Sequence, residues 1–417
     1  MSALADNGSV VDGIEGSSST ARPNVAVEVL VRFVTKYNKF KVTEESIAIP
    51  SRLKRYGLSD VVNHLLQLPK PVPFDFVLNN SLLRGSLARS ILAQHLNTEE
   101  VLELEYMPAL LSPQVDSRFQ SPDWVAALDA GVEGYVYAGT YDGSISLFSS
   151  ETGKQLLSFR GHTSGVKGIS VARNQSSPDG LTVATGSQDH TVRTWCGSVG
   201  VSNPSIEPLG VGRGHSAEVS SVAIGPTRNV VASASWDRSV RLWRIPEGST
   251  PSVPSTKKRK TGLASVSELK DMESLYAMDL CHTDATTCLS WASSRSFFSG
   301  GLDRRIHSWD AETGQLNGTI NTSHAVSSIS YSPESLLLAS AHPDNTVRVW
   351  DPRVKSESTT AGTFKGHKKY VTSVCWAPYN ENLLASVSHD LTLKIWDKRA
   401  SIALHTVERV HEQKILT

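Results

Sequence analysis

The sequence predicts a small α+β domain followed by a larger all-β domain, and two observations predict this order. Between residues 24 and 106, short runs of alternating apolar residues are separated by two segments with helical spacing. From about residue 123 onward, an aspartate followed six residues later by a large aromatic residue recurs six times. The 417 residues are enough for two or three domains with a large core.

The composition excludes several classes of protein. Lys and Arg number 41 and Asp and Glu number 41, so no net charge favours nucleic acid or a membrane surface. No apolar run reaches the ~20 residues that span a bilayer, and residues 1–22, which we predict to be a disordered tail, lack the pattern of a secretory signal. The four cysteines are scattered, without the spacing of zinc ligands. We expect a soluble intracellular protein without a cofactor.

The α+β domain is predicted over residues 23–107. It begins with a strand in NVAVEVLVRFVT (24–35), where valines occupy alternate positions. A second short strand, SIAIP (46–50), completes a hairpin. Next, LSDVVNHLLQL (58–68) carries apolar residues at helical spacing, and Ser59 is predicted to cap this helix.

The second half of this domain adds a strand, a helix and a last strand. FDFVLN (74–79) reads as a strand, SLARSILAQHL (86–96) as a short helix capped by Ser86, and VLELEY (101–106) as the final strand. The order β-β-α-β-α-β fits a β-grasp, ubiquitin-like domain, although periodicity alone does not separate it from other small α+β folds. Residues 108–122, with several prolines, are predicted to be a linker.

The repeats of the second domain, predicted over residues 123–417, share a fixed internal spacing. The aspartate and the aromatic residue of each repeat are Asp142 and Phe148, Asp189 and Trp195, Asp237 and Trp243, Asp303 and Trp309, Asp344 and Trp350, and Asp390 and Trp396. Five repeats also carry a histidine upstream of the aspartate, namely His162, His215, His282, His324 and His367. This pattern resembles the WD40 repeat, each copy of which forms a four-stranded blade of a β-propeller.

Each repeat contains a hydroxyl residue, a histidine and an aspartate, which invites comparison with a hydrolase triad. Because the set recurs in blade after blade, we interpret it instead as a buried hydrogen-bond network that joins the histidine, a strand Ser or Thr, the aspartate and the tryptophan. The first blade lacks the histidine and has Phe148 in place of tryptophan, so its network should be incomplete.

The C-terminal end of the repeats raises a question of ring closure. A seventh repeat starts near ERVHEQKILT (408–417), and rings of this kind commonly close with about seven blades. Unpaired strand edges would be costly. The ring either closes with six blades or the sequence ends early relative to its family, and we favour the second interpretation.

An insertion at about residues 248–272 accounts for one long interval between repeats. It is rich in Ser, Thr and Pro and includes four consecutive cations, Lys257, Lys258, Arg259 and Lys260. This run is either a nuclear-import signal or RNA contact, or a solvated charged loop.

Several segments together resemble the WD repeat protein twelve (Ytm) family of eukaryotic ribosome-biogenesis factors. They are LKRYGLSDVVNHLL (53–66), KPVPFDFVLNNSLLR (70–84), LELEY (102–106) and SPDWVAALD (121–129). The resemblance implies a non-catalytic nucleolar and nucleoplasmic factor that joins pescadillo and its block-of-proliferation partner on precursors of the 60S subunit. It also implies that midasin, an AAA-type ATPase, releases the complex.

The resemblance further implies a site on the ubiquitin-like domain. In this family a glutamate fills an open position on the Mg²⁺ of midasin's adhesion-site domain, and alignment with the family motif places it at Glu99, with Glu100 as the fallback. Glu103 and Glu105 alternate with leucines in the last strand, so we expect them on its open, solvated face. Mg²⁺ accepts one or two carboxylates in a near-octahedral shell.

Two other functions remain open. A Notchless-type assembly factor has a similar domain order and also meets midasin, but its propeller has eight blades, more than this chain supplies. WDPR (350–353) and WDKR (396–399) fit a WDxR pattern associated with substrate receptors of cullin ubiquitin ligases. An enzyme is disfavoured because the sequence contains no phosphate-binding glycine loop, zinc-ligand cluster or nucleophile elbow.

Overall fold

The computed structural model describes residues 28–43, 45–173, 180–199, 204–246, 270–354 and 360–408, together with His411 and Ile415. The chain divides into two compact units, Met1–Leu111 and Ser112–Thr417. The predicted tail and the cluster Lys257, Lys258, Arg259 and Lys260 lie outside the described residues, as does most of the predicted insertion. No helix among the described residues is long and apolar enough to cross a membrane.

The first unit is a mixed sheet packed against two helices. Its elements are β1 (Glu28–Val34), a 3-10 turn (Asn38–Phe40), β2 (Ser46–Pro50), α1 (Arg55–Leu66), β3 (Phe74–Leu78), β4 (Ser81–Leu82), α2 (Leu87–Ala93) and β5 (Leu102–Pro108). The sheet order is β2-β1-β5-β3-β4, with β1 parallel to β5 and the other pairs antiparallel. This is the predicted ubiquitin-like arrangement with one added two-residue strand, β4.

The core of this unit follows from the alternation seen in the sequence. Inward-facing residues of β1 and β5, including Val31 and Leu104, pack with Leu58 of α1 and Leu87 of α2, all fully buried. Burial of such side chains stabilises the fold by about 1.5–3 kcal/mol each. Tyr106 packs edge-on against neighbouring aromatic rings, and its hydroxyl accepts from Val42 N at 3.1 Å.

One helix boundary differs from the prediction. Ser86 caps α2 as predicted, because its Oγ accepts a hydrogen bond from Arg89 N at 3.4 Å. Helix α1, however, begins at Arg55, so Ser59 lies inside the helix and does not cap it. The Ser59 hydroxyl is buried, donates to Val72 O and accepts from Phe74 N at 3.1 Å. It therefore fixes the chain between α1 and β3.

In its described residues, the second unit forms six antiparallel four-stranded sheets, each built from consecutive strands. The first three sheets comprise β6 (Val125–Asp129), β7 (Tyr135–Thr140), β8 (Ser144–Ser149) and β9 (Gln155–Arg160); β10 (Val166–Arg173), β11 (Gly180–Ser187), β12 (Val192–Ser198) and β13 (Ser205–Gly212); and β14 (Val219–Ile224), β15 (Val230–Ser235), β16 (Val240–Arg244) and β17 (Ser274–Met278).

The remaining three sheets repeat the same arrangement. They comprise β18 (Thr286–Trp291), β19 (Ser296–Gly301), β20 (Arg305–Asp310) and β21 (Leu316–Asn321); β22 (Ser328–Ser332), β23 (Leu337–Ala341), β24 (Thr346–Trp350) and β25 (Thr360–Lys365); and β26 (Val371–Trp376), β27 (Leu383–Ser388), β28 (Thr392–Asp397) and β29 (His405–Glu408). The predicted WD40 propeller is confirmed.

Neighbouring sheets are joined through their first strands. The hydroxyl of Ser170 in β10 accepts from Ile224 N in β14 at 3.1 Å, and Ser290 in β18 accepts from Tyr331 N in β22 at 3.0 Å. Each such bond satisfies a backbone N–H that faces the preceding sheet. The first strand of each sheet therefore lines the central channel, where residues from all six sheets meet.

Of residues 408–417, predicted to begin a seventh repeat, the structure describes Glu408, which ends β29 of the sixth sheet, together with His411 and Ile415. The hydroxyl of Thr372 in β26 donates to Ile415 O at 3.2 Å, and Ile415 is buried. An equivalent bond joins Thr287 in β18 to Val326 O, just before the next sheet, at 2.7 Å. Ile415 thus lies against the sixth sheet where the start of a following sheet would lie.

The predicted linker has structure at both ends. Strand β5 extends to Pro108, so the first unit continues slightly beyond residue 107. Phe119 packs against Phe148 of β8 with ring centroids 4.9 Å apart. The segment before the first sheet is therefore held on that sheet by an aromatic contact at the residue that replaces tryptophan.

Candidate functional site

Glu99 lies in a short turn between α2 and β5 of the first unit. Asn97 begins the turn, and its Oδ1 accepts a hydrogen bond from Glu99 N at 3.1 Å, which closes a tight Asx-type turn. Val101 separates the turn from Leu102, the buried first residue of β5. The backbone N–H of Glu99 is therefore held by Asn97, while the Glu99 side chain is exposed, as is that of Glu100.

Ion pairing distinguishes the four glutamates near this strand. Glu103 pairs with Arg32 at 3.2 Å and Glu105 with Lys36 at 3.5 Å, across the parallel β1–β5 pairing. Both lie on the open face of β5, as predicted, but each is partnered by a cation. Within the described part of the chain, neither Glu99 nor Glu100 forms an ion pair. The turn thus presents carboxylates whose oxygens are available to an external cation.

The blade networks of the propeller place their carboxylates in the opposite situation. Four sheets contain the complete set, formed by His162, Thr185, Asp189 and Trp195; His215, Ser233, Asp237 and Trp243; His282, Ser299, Asp303 and Trp309; and His367, Ser386, Asp390 and Trp396. The tryptophan Nε1–H donates to the hydroxyl oxygen at 2.8–3.1 Å. The hydroxyl contacts histidine Nε2 at 2.7–2.8 Å, and histidine Nδ1 contacts the carboxylate at 2.9–3.1 Å.

These networks are structural because their histidines, hydroxyls and tryptophans are buried, their aspartate side chains are at most 9% exposed, and every member is already partnered. Burial lowers the pKa of His162, so its imidazole is neutral and can accept from the hydroxyl while donating to the aspartate. Burial acts to raise the pKa of Asp390, but hydrogen bonds from Thr392, Lys368 N and His367 outweigh it and hold that pKa at about 2. A catalytic nucleophile needs an activated oxygen that a substrate can reach. These hydroxyl oxygens are buried and already hydrogen-bonded, so they cannot take that role.

In the fifth sheet, the prediction that His324 is the network histidine is wrong. His324 is half-exposed and contacts Asp344 at 3.2 Å, but it does not reach the strand hydroxyl. His342 takes that place: its Nε2 lies 2.7 Å from Ser340 Oγ, and its Nδ1 donates to Ala325 O at 2.9 Å. Trp350 Nε1 donates to the same Ser340 hydroxyl at 2.6 Å. The network histidine therefore comes from the turn after the hydroxyl strand.

Two further observations concern the incomplete and the unusual sheets. In the first sheet Asp142 accepts from the Thr140 hydroxyl and from the backbone N–H of Ser144, and these donors replace the absent histidine. In the fourth sheet His282, Asp303 and His307 have potential ligand atoms within 4.8 Å of one another. Because both ring nitrogens of His282 already serve the blade network, we assign this cluster to the fold.

The WDxR arginines bond to the aspartates of their own motifs. Arg353 binds the carboxylate of Asp351 with two nitrogens at 2.7 and 2.8 Å, and Arg399 binds Asp397 at 2.7 and 2.9 Å. The side chain of Arg399 is only 9% exposed. This arginine is therefore fixed within the sixth sheet.

Comparison with known proteins bears on both units. The profile of the NLE (NUC135) domain matches residues 29–91, and the profile of the WD domain, G-beta repeat, matches residues 153–196, 206–244, 274–310, 314–351 and 358–397. A curated relative described as "Ribosome biogenesis protein WDR12 homolog", from Chlamydomonas reinhardtii, is 34% identical over 412 residues, which covers 93% of this chain and 91% of the relative.

The chain belongs to the WDR12/YTM1 family of ribosome biogenesis proteins. A WDR12 homolog from Oryza sativa subsp. japonica is 32% identical, covering 93% of this chain and 91% of the relative. "Ribosome biogenesis protein YTM1" from Kluyveromyces lactis is 31% identical, covering 92% of this chain and 89% of the relative. The resemblance inferred from the sequence is confirmed, and a role in ribosome assembly follows from this family membership.

The matched regions also show what the profiles leave out. Strands β6 to β8 of the first blade of this chain precede residue 153, where the first repeat match begins. This fits the sequence of that blade, which lacks the histidine and has Phe148 in place of tryptophan. The NLE profile ends at residue 91, before the turn that carries Glu99. The profile therefore does not assign the candidate ligand.

Proposed function

We propose that this chain is a non-catalytic assembly factor for the large ribosomal subunit, acting in the nucleolus and nucleoplasm. Its propeller would bind pescadillo and block-of-proliferation homologues on pre-60S particles, where they support pre-rRNA processing. Midasin would then release it through a carboxylate of the ubiquitin-like unit. Membership of the WDR12/YTM1 family supports the assembly role, and the geometry of the Glu99 turn supports the release mechanism.

The proposed release mechanism rests on the exposure of the Glu99 carboxylate and on the ordered backbone that carries it. Its carboxylate is exposed and has no ion-pair partner among the described residues, while its backbone is fixed by the bond to Asn97. A ligand supplied to a metal on another protein binds more tightly when its backbone is already ordered, because less conformational entropy is lost. Mg²⁺ retains coordination positions for one or two carboxylates, which this side chain would supply.

The division into two units fits the proposed roles. The first unit, Met1–Leu111, has its own core and carries the exposed carboxylate. The second unit, Ser112–Thr417, is a rigid arrangement of sheets whose loops supply broad surfaces for protein partners. One unit would therefore contact the ATPase while the other stays bound to the precursor particle.

The proposal is tested by affinity purification of the tagged full-length chain from nuclear extract. We expect pre-60S assembly factors and midasin to co-purify, with the tagged chain concentrated in nucleoli. Recovery of cullin adaptor subunits without pre-60S factors would instead support the ubiquitin-ligase function. That alternative is weakened for WDKR, because the Arg399 side chain is only 9% exposed and is bound to Asp397, whereas the Arg353 side chain of WDPR is 60% exposed.

A further inference from the structure

Five sheets of the propeller repeat one backbone hydrogen bond at the same end. In each, the residue before the turn aspartate donates its N–H to the carbonyl of a residue at or next to the start of the sheet's first strand. The donor and acceptor pairs are Tyr141 and Trp124, Gln188 and Gly165, Trp236 and Glu218, Leu302 and Ala285, and His389 and Tyr370, at 2.9–3.0 Å. These pairs define what we call the turn end of the propeller.

Three large aromatic side chains are exposed at the turn end. Trp124 is 62% exposed, Trp236 is 53% exposed and Tyr370 is 58% exposed. Tryptophan and tyrosine are the residues most enriched in the energetically dominant parts of protein interfaces. Exposed tryptophans on a folded surface leave a large apolar area in water, and a bound partner would remove that cost.

A groove crosses the turn end from the first sheet to the third. It has a volume of about 600 Å³, and Tyr141, Lys167, Gln188, His190, Glu218 and Trp236 line it. We call it the Tyr141–Trp236 groove. It is shallow and largely open to solvent, and the residues that line it come from three consecutive sheets.

Charged groups stand on both sides of the groove. Lys167 donates to the Tyr141 hydroxyl at 2.7 Å, and its ammonium lies 4.4 Å from the centre of that ring. Glu218 accepts from Gln188 Nε2 at 3.1 Å. In the part of the chain that the structure describes, neither Lys167 nor Glu218 forms an ion pair. One fixed cation and one carboxylate are thus available to groups of opposite charge.

This arrangement favours a polypeptide over RNA as the ligand. Phosphodiester binding depends on several cations that replace condensed counterions, whereas this groove has a single lysine and also presents the carboxylate of Glu218 beside Trp236. A peptide segment can supply both an apolar side chain for the indole and an acidic side chain for the ammonium.

We propose that the Tyr141–Trp236 groove binds an extended segment of a protein partner on the precursor particle. That segment packs an apolar or aromatic side chain on Trp236 and places a carboxylate against Lys167. The inference deepens the proposed scaffold role of the propeller and rests on it for the choice of particle. It does not involve Glu99.

Photo-crosslinking of the full chain tests the groove directly. Benzoylphenylalanine replaces Trp236 in one variant and Tyr379 in the control. Tyr379 is 91% exposed on the loop between β26 and β27, at the opposite end of its sheet from the Asp390 turn. Pre-60S particles carrying each variant are irradiated, and the cross-linked peptide is sequenced by mass spectrometry.

The expected product from position 236 is a single protein segment with an acidic residue a few positions from an apolar one. A cross-link to ribosomal RNA, to a second copy of this chain, or to a segment without an acidic residue would overturn the proposal. So would a yield no higher than that from position 379.

Substitutions supply the quantitative test. Trp236→Ala and Lys167→Glu should each lower the fraction of the chain that co-sediments with pre-60S particles at least about fivefold, as for a central interface residue. Tyr379→Ala should leave that fraction unchanged, and all variants should melt as the wild type does. If the wild-type chain itself fails to co-sediment, the proposed function fails. If the wild type and both groove variants co-sediment equally, only the groove inference fails.

Discussion

The two units of this chain use carboxylates in opposite ways. In the propeller, Asp237 is enclosed by donors: it accepts from His215 Nδ1, from the backbone N–H of Ser216 and Ser239, and from the Ser239 hydroxyl. In the ubiquitin-like unit, Glu99 is exposed and only its backbone N–H is tied. A carboxylate that is fully satisfied within its own chain stabilises the fold, whereas one without internal partners is available to another molecule.

Acidic pH should destabilise the propeller. Burial lowers the pKa of both His342 and His307 to about 4, from an ordinary value near 6.5, and His342 is fully buried. Each histidine is neutral in the folded state, whereas the unfolded chain binds a proton there below pH 6.5. The free energy of unfolding is therefore highest above pH 6.5 and decreases as the pH falls toward 4.

At pH 5 the loss should be about 2 kcal/mol per histidine, or about 4 kcal/mol for the two, relative to pH 7.5. This loss of stability is measured by thermal melting at pH values between 7.5 and 4.5, with unfolding monitored by the near-ultraviolet circular dichroism of the propeller tryptophans. Asp390 contributes outside this window, because its pKa is already held at about 2. A propeller melting temperature that stays constant from pH 7.5 to 5 would contradict the neutral assignment of these histidines.

Removal of a network carboxylate should have the next largest effect. Asp237→Ala leaves the buried ring of His215 and two backbone N–H groups without an acceptor, which should cost about 3 kcal/mol of unfolding free energy. Chemical denaturation checks this value. Glu151→Ala, an exposed carboxylate in the same unit, is the matched control and should change stability by less than about 0.5 kcal/mol. Equal effects of the two substitutions would refute the distinction between satisfied and free carboxylates.

The fifth sheet offers a comparison within one network. His342→Ala should destabilise the propeller by about 2 kcal/mol, because Ser340 and Ala325 O lose their buried partner. His324→Ala should cost less than about 0.5 kcal/mol, because that ring is half-exposed and does not contact Ser340. Chemical denaturation of both variants measures the two changes in unfolding free energy. A larger decrease for His324→Ala than for His342→Ala would show that His324 is the network histidine, as the spacing predicted.

The smallest expected effect on stability is that of Glu99. Glu99→Ala should change the unfolding free energy of the first unit by less than about 0.5 kcal/mol, because the turn is closed by Asn97 and the Glu99 backbone rather than by the carboxylate. Asn97→Ala is the informative companion, since it removes the turn acceptor and should loosen the loop. A marked loss of stability in Glu99→Ala would give that carboxylate a structural role.

Repetition explains why much of the fold could be predicted. Six copies of one spacing identified the blades, and alternating residues identified β1 and β5. Features that depend on a single distant contact were missed. Helix α1 starts at Arg55, and the Ser59 hydroxyl, inside the helix, bonds instead to the chain beyond it, at Val72 and Phe74. The two residues of β4 are too few to show a period.

The same argument applies to the sites. Spacing selected His324, but the hydrogen bond to Ser340 depends on the turn geometry that brings His342 back onto its own strand. The exposed position of Glu99 could be predicted from its place between a helix and a buried strand. The cross-strand cations that occupy Glu103 and Glu105 could not, because Arg32 and Lys36 are distant in the sequence.

The affinity of the full chain for the Mg²⁺-bearing adhesion-site domain of midasin tests the central claim most directly. Calorimetry with Mg²⁺ and with EDTA would compare the wild type with Glu99→Ala, Glu99→Asp and the ion-paired control Glu103→Ala. We predict Mg²⁺-dependent binding that falls at least about tenfold in both Glu99 variants and stays within about twofold in Glu103→Ala. Equal binding by the wild type and both Glu99 variants, or wild-type binding that EDTA leaves intact, would show that Glu99 does not ligate the metal.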